Sequence, residues 1–152
     1  MIEDVFGSRS TILAGSSLRS LDALIRLAKD EGTGRSRFLL HRDHSERPQV
    51  MIIYLERGSE IGLHRHPDSK TELYLVLEGE LSVEYMEECD STRKVKILAP
   101  WGNLKGYPSL SVHRDSVWHE PKSISDYVLY LEIYSGPFEK SGDVEYFGSQ
   151  SN

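Results

Sequence analysis

Beyond Gly34 the helical period disappears from this sequence, and every later apolar run is short and bounded by Gly, Pro, Asp or Ser. The runs are Phe38–His41, Val50–Leu55, Glu72–Leu77, Leu81–Tyr85, Lys94–Leu98, Ser111–His113 and Tyr127–Ile133. They are rich in the β-branched and aromatic residues that suit a pleated surface. Parallel strands need a long crossover, usually a helix, between them, and no helical stretch interrupts these. The pattern therefore predicts an all-β sandwich or closed barrel. Gly79, in Glu78-Gly79-Glu80 between two runs, marks a hairpin whose turn calls for positive φ.

One earlier stretch reads as a helix. Leu18, Leu21, Leu24, Ile25 and Ala28 recur at helical spacing after the capping pair Ser16-Ser17, and Gly32 stops them, which predicts an amphipathic helix of about four turns. Thr11-Ile12-Leu13-Ala14 reads as a short strand. The chain then divides into an N-terminal segment, 1–34, whose helix packs on the barrel, a barrel over 35–140, and a tail, 141–152. Val50–Leu55, Leu73–Leu77 and Tyr127–Leu131 are apolar on both faces, whereas a barrel interior buries only one. The helix or a second copy of the chain must cover the other, and a homodimer is expected.

At 152 residues the chain can bury a core but is short for two independent domains. Its 18 Lys plus Arg against 24 Asp plus Glu give a net charge of −6 with no long basic run, which argues against nucleic acid as a partner. No apolar run approaches membrane-spanning length, and Met1-Ile2-Glu3-Asp4-Val5-Phe6 carries acid where a signal peptide carries base. A cytoplasmic protein without a membrane partner is expected. The single cysteine, Cys89, lies in Glu87-Glu88-Cys89-Asp90, where carboxylates disfavour a thiolate, so it reads as a bystander.

The chemistry concentrates between Gly58 and Glu72. Residues two apart on a strand project from one face, so His64 and His66 present two imidazoles to one point, a chelating geometry. Glu72 follows a turn at Pro67-Asp68, and alternation puts it on the side of Tyr74 and Val76, where a carboxylate is costly unless paired or coordinated. A metal would remove that cost, and His119, in Ser116-Val117-Trp118-His119, offers a fourth donor. A lone His-x-His is more often a pair of surface histidines, and a lone Glu is more often exposed. The combination with Gly79 and His119 is what favours a metal.

Gly58 to Gly79 spells Gly-x5-His-x-His-x5-Glu-x6-Gly, which resembles the first motif of the cupins, and His119 resembles the histidine of the second. The gap from His66 to Glu72 is one residue longer than the usual range, and Arg114 and Ser116 stand where the second motif carries Pro-x-Gly. The resemblance narrows with the preceding helix, Arg35-Ser36-Arg37-Phe38-Leu39-Leu40-His41, His64-Arg65-His66-Pro67, Trp118-His119 and Glu132-Ile133-Tyr134-Ser135-Gly136-Pro137-Phe138. Over about residues 18 to 140 the chain is similar to the WbuC family of cupin metalloproteins. This implies a double-stranded β-helix, the cupin jelly-roll barrel, with one N-terminal α-helix, and a role near sugar or sugar-nucleotide metabolism in surface-polysaccharide settings.

Three imidazoles and a carboxylate suit divalent Fe, Mn, Ni, Co, Cu or Zn, with availability rather than the ligand set choosing among them. An octahedral sphere would keep two positions for water or substrate. Arg35, Arg37 and Arg65 are candidate grips on an anionic small molecule, with structural ion pairing as their plainer role. Tyr54, Tyr74 and Tyr130 are candidate pocket walls, with packing as theirs. His41, His44 and His113 read as ordinary. The expected function is a metal-dependent enzyme acting on a sugar or sugar-nucleotide derivative by isomerisation or epimerisation. An Fe(II) dioxygenase and a non-catalytic sugar- or metal-binding module are the alternatives. A cupin sugar-nucleotide ketoisomerase, suggested by Val117-Trp118-His119-Glu120 and Asp126-Tyr127, is a further one. No catalytic acid or base emerges, because contacts across strands are invisible in a sequence.

Overall fold

The computed structural model describes residues 17–87, 90–114, 116–139 and 142–148. The strand expected at Thr11-Ile12-Leu13-Ala14, Cys89, and the last residues of the tail lie outside them. Helix α1 (Ser17–Asp30) leads into β1 (Arg35–Leu39), β2 (Gln49–Glu56), β3 (His64–Arg65), β4 (Glu72–Glu78) and β5 (Leu81–Glu87). Then follow β6 (Asp90–Leu98), β7 (Leu110–His113), β8 (Trp118–Ser123), β9 (Tyr127–Tyr134) and β10 (Glu145–Tyr146). All seven expected strands form, β1 starting three residues earlier than the pattern suggested. β3, assumed in the pairing of His64 with His66, carries no apolar run of its own, and β8 and β10 were not expected. Two of them are only two residues long, and β8 reads Trp-His-Glu-Pro-Lys-Ser, without apolar alternation, because its buried polar side chains serve the site rather than the core.

The strands make two antiparallel sheets, β1-β2-β9-β4-β7 and β10-β3-β8-β5-β6. Their inner faces share one apolar core, with Met51, Ile53, Leu55, Tyr74, Val76, Val128 and Tyr130 from the first and Leu81, Val83 and Leu98 from the second. This is the jelly-roll barrel that the sequence resemblance implied. Helix α1 lies on the outer face of the first sheet, where Leu24 and Ala28 bury against Phe38 and Tyr54, with Ile25, Ile52, Tyr127 and Leu129 around them. Ser36 locks the contact by donating its hydroxyl to the Leu24 carbonyl at 2.7 Å. Gly32, at φ 64°, ends the helix as expected, its N–H bonding the Lys29 carbonyl.

The helix covers only part of that face. Strand register aligns two apolar rows across the rest: Val112, Leu73, Ile133 and Val50, and Leu110, Leu75 and Leu131, the second row running on to Ile52 beside the helix. Leu77, Leu110 and Val112 keep 45, 43 and 41 % of their surface exposed.

The β4–β5 hairpin turns at Gly79 with φ 80°. A Cβ there would lie 2.3 Å from the Tyr127 carbonyl oxygen and 2.6 Å from Ser125 Oγ. Backbone strain and collision act together, so Gly79→Ala should lower stability by about 2–4 kcal/mol, read from the urea midpoint. A loss below about 1 kcal/mol would contradict this account of the turn.

Candidate metal centre

β3 and β8 pair at His64 and His119, which places these two rings side by side on the inner face of the second sheet, 4.5 Å apart. His66 follows β3 directly, its ring 5.3 Å from His64 and 5.4 Å from His119. Glu72 opens β4 on the facing sheet, in phase with the buried Tyr74 and Val76. A turn closed by Lys70 N–H on the Pro67 carbonyl absorbs the extra residue between His66 and Glu72. One donor atom from each of His64, His66, Glu72 and His119 lies within 4.8 Å of the others.

The ring orientations are set by backbone. Nδ1 of His64 contacts the Gly62 carbonyl at 2.9 Å, Nδ1 of His119 the Val117 carbonyl at 2.9 Å, and Nδ1 of His66 the Asp143 carbonyl at 2.5 Å. Each contact requires a proton on Nδ1, which leaves the Nε2 lone pair as the ligating position. Asp143 is itself buried, bonding the Glu139 N–H at 2.8 Å and facing Lys70 Nζ at 3.6 Å. Ser116 Oγ donates to the His66 carbonyl at 3.0 Å and also meets Asp68. At φ 53°, Ser116 takes the left-handed backbone that the second cupin motif assigns to glycine, and these side-chain bonds hold it there.

Glu72 Oε2 gathers the site: His119 Nε2 at 2.7 Å, His66 Nε2 at 3.5 Å and the Tyr74 hydroxyl at 2.6 Å. Burial opposes its ionisation, but the hydrogen bonds and charges of His119 and His66 outweigh burial and hold the carboxyl well below its ordinary range. His66 is pushed down by burial and more strongly up by Glu72, so it ends above its usual value. Burial, with the neighbouring His119, brings His64 down to about 4. The contact between His119 and Glu72 needs a proton between them, and a divalent cation would take that proton's place. The buried His66 Nε2 makes no hydrogen bond, only the 3.5 Å contact with Glu72. An imidazole nitrogen withdrawn from water without a full hydrogen bond, beside a carboxylate and two more imidazoles, is the donor set a transition metal fits.

Two residues of the site escaped the sequence reading. His113, read as ordinary, is paired with Glu72 in the β4–β7 register and stacks on His119, centroids 4.5 Å apart and planes 16° apart. Glu132 shares the inward face of β9 with Tyr130 and Tyr134, and burial together with the charge of Glu72 drives its carboxyl well above the ordinary range. A lone carboxylate in phase with two inward tyrosines was the available signal.

The proposed substrate residues divide. Arg35 and Arg37 pair with the core residues Leu55 and Ile53, so they stand on the inward side of edge strand β1. Arg35 Nη1 donates to the Glu60 carbonyl at 3.4 Å, and the charge of exposed Arg37 reaches Glu132 and Tyr130. Arg65 points away from the imidazoles, held by Glu145 at 2.8 Å and lying 4.6 Å over the Trp118 ring. It borders a cavity of about 390 Å³ together with His66, Asp68, Ser116 and Glu145. Tyr74 and Tyr130 are inside the barrel, Tyr74 as the hydroxyl donor to Glu72. Tyr54 is not brought to the site: it faces helix α1 on the outer side and bonds Glu56 at 2.9 Å.

A family model described as a domain of unknown function (DUF6016) matches residues 17–98, from α1 through β6 and including His64, His66 and Glu72. The chain belongs to the DUF6016 family. No curated protein matches it. Among solved structures, it resembles the capsular polysaccharide assembling protein CapF from Staphylococcus aureus. The identity is 16 %, with 74 % of this chain and 32 % of that one covered at TM-score 0.62. Oxalate oxidase in complex with the substrate analogue glycolate gives 12 % identity, 76 % and 56 % coverage, and TM-score 0.58. The Lactobacillus farciminis oxalate decarboxylase formate complex gives 13 %, 75 % and 31 %, and 0.54. The DUF6016 chain thus spans about a third of CapF. These neighbours are cupin-fold proteins, and at such identities they establish the fold: this chain is a cupin barrel.

The shifts predict the acid behaviour of the metal-free protein. His64 and His113, brought by burial to about 4 and about 3, bind a proton more readily when unfolded. Between about pH 6.5 and about 4 the unfolded chain therefore holds more protons, and its favour grows by up to about 1.4 kcal/mol per pH unit for each. Glu72, depressed, adds to the loss below its own unfolded value, while raised His66 and raised Glu132 work the other way. The His113 contribution is read by difference: from about pH 6.5 to about 4 the urea midpoint of His113→Phe should fall less, or rise more, than that of wild type. An identical pH dependence in the two proteins would refute the buried neutral imidazole of His113.

Proposed function

We propose that this chain is a cupin metalloprotein that binds one divalent transition metal through His64, His66, Glu72 and His119. We propose further that it acts on a sugar or sugar-nucleotide derivative. The observation that carries the metal is the convergence of four buried or nearly buried donors, with His66 Nε2 making no hydrogen bond. The metal would supply a Lewis acid able to polarise a carbonyl or hydroxyl oxygen. The chain's own residues hold the imidazoles through backbone carbonyls, orient Glu72 through Tyr74, and keep water out with the tyrosine-lined core. The sugar assignment is supported by the resemblance to the WbuC family in surface-polysaccharide settings and by the fold shared with a capsular polysaccharide assembling protein. Isomerisation or epimerisation is the reaction class we favour. Likeness to an oxalate oxidase keeps a small-molecule dioxygenase as the second reading, distinguished by O₂ uptake.

Elemental analysis should find one transition metal per chain, and the His64→Ala, His66→Ala double variant should lose it while staying folded. Full occupancy in that variant would sink the assignment. Imidazoles must be neutral to ligate, and Glu72 favours the protonated form of His66, so occupancy should fall as pH drops toward and below about 6.

We also propose that a second copy of the chain covers the two apolar rows on the outer face of β2, β9, β4 and β7. A face of seven aligned aliphatic side chains outside the helix contact, with Leu77, Leu110 and Val112 exposed, favours an isologous contact. Wild type should sediment as a dimer, and Val112→Asp with Leu110→Asp should give a folded monomer. A monomeric wild type at high micromolar concentration refutes the dimer.

A further inference from the structure

We propose that His113 is a ligand-recognition residue, its Nε2 donating a hydrogen bond to the oxygen of a small carboxylate entering the narrow cleft beside the metal site. The inference rests on the metal reading above and extends it to a residue outside the ligand set. His113 closes β7 on the inner face of its sheet, opposite Glu72, with only 8 % of its surface exposed. Its Nε2 is buried and has no hydrogen-bond partner. Folded proteins rarely leave such an atom unpaired unless a water or ligand completes it. The ring cannot swing freely, since it is stacked on His119 on one side and lies 4.9 Å from Tyr74.

The surroundings say what completes it. His113, His66 and His119 line one cleft with Lys70, Arg114 and Ser116, and its free room of about 10 Å³ is about that of one water. Two cations border it. Lys70 shares its charge with Asp143, whereas the guanidinium of exposed Arg114 makes no ion pair or hydrogen bond among the described residues. A buried N–H donor lining one cleft with two cations suits an anionic oxygen, and room for about one water admits a single oxygen of a small head group whose remainder stays at the cleft mouth. The second donor nitrogen of a histidine stacked on a ligand imidazole would be held at a fixed distance from whatever shares the metal, because the two rings are packed as a unit.

Cobalt(II)-loaded protein titrated with acetate, followed by the visible absorption of the metal, tests this. His113→Phe keeps a ring against His119 but cannot hydrogen-bond, and His113→Gln returns an N–H donor of similar reach. One cobalt per chain is expected in all three proteins. The acetate Kd should rise about tenfold or more in His113→Phe and stay within about threefold of wild type in His113→Gln. Should His113→Phe fail to fold, His113→Leu makes the same comparison. Full cobalt with unchanged acetate affinity in the Phe or Leu variant overturns the proposal and leaves the metal reading intact. So does wild-type cobalt protein that ignores acetate. Loss of cobalt from His113→Phe and His113→Gln would make His113 a ligand and overturn it too. Wild type that takes up no cobalt fails before acetate is added, and refutes the metal reading itself.

Discussion

Three backbone carbonyls decide what this site can be. Gly62, Val117 and Asp143 each take the Nδ1 proton of one imidazole, so His64, His119 and His66 are confined in tautomer and in rotation before any ligand arrives. That arrangement depends on chain geometry at a distance. Gly62 precedes a strand of two residues, and Val117 follows a serine in the left-handed region. Asp143 is placed by Lys70 and the Glu139 amide from a segment near the end of the chain. Loosening any of these would free a ring rather than remove a donor. The candidate centre is therefore a property of the barrel's loops as much as of its four side chains, and the long, regular strands act as the frame that holds those loops in place.

The barrel and its first-motif donors were legible because period two is a strong signal where strands are long. Val50–Leu55 and Tyr127–Ile133 show it plainly, and Gly79 shows the turn. β8 was not legible, since its side chains are buried for polar reasons and a hydrophobic pattern cannot report them. The placement of His113 was hidden for another reason. It depends on β7 pairing with β4 in one register, a long-range fact that no local window contains. Glu132 lay between these cases: its phase with Tyr130 and Tyr134 was readable, but the two-sided apolar character of the strand masked which face was inner. Tyr54 fell on the wrong side for the same reason, one residue out of phase with the inward Ile53 and Leu55 in a strand where both faces are apolar.

Apolar character on both faces also explains how one sheet serves two purposes. Its inner face carries Glu72, Tyr74 and Glu132 into the barrel, and its outer face is divided between helix α1 and the open rows around Leu73 and Leu75. The helix is tied to β1 and β2, on the side of Arg35 and Arg37, whereas the open rows back directly onto β4 and β7, the strands of Glu72 and His113. Whatever covers those rows stiffens the strands that present one carboxylate and one imidazole to the site. Assembly and chemistry would then be linked through the thickness of a single sheet.

Charge sets the last constraint. Two carboxyls, Glu72 and Glu132, face the same interior, and they respond in opposite directions: the one beside the imidazoles is held ionised, the other is driven toward its neutral acid. Two carboxylates sharing one low-dielectric space cannot both carry charge without a cation between them. The metal-free interior thus tolerates one negative charge, balanced by protons on the histidines. An anionic ligand entering this interior would face that same limit and must bring or find positive charge. Three sources are available: the cation that the four donors would hold, Lys70 and Arg114 at the cleft, and Arg37 on the inward side of β1. The first would sit against Glu72 itself, so admission of an anion should depend on occupancy of the donor site.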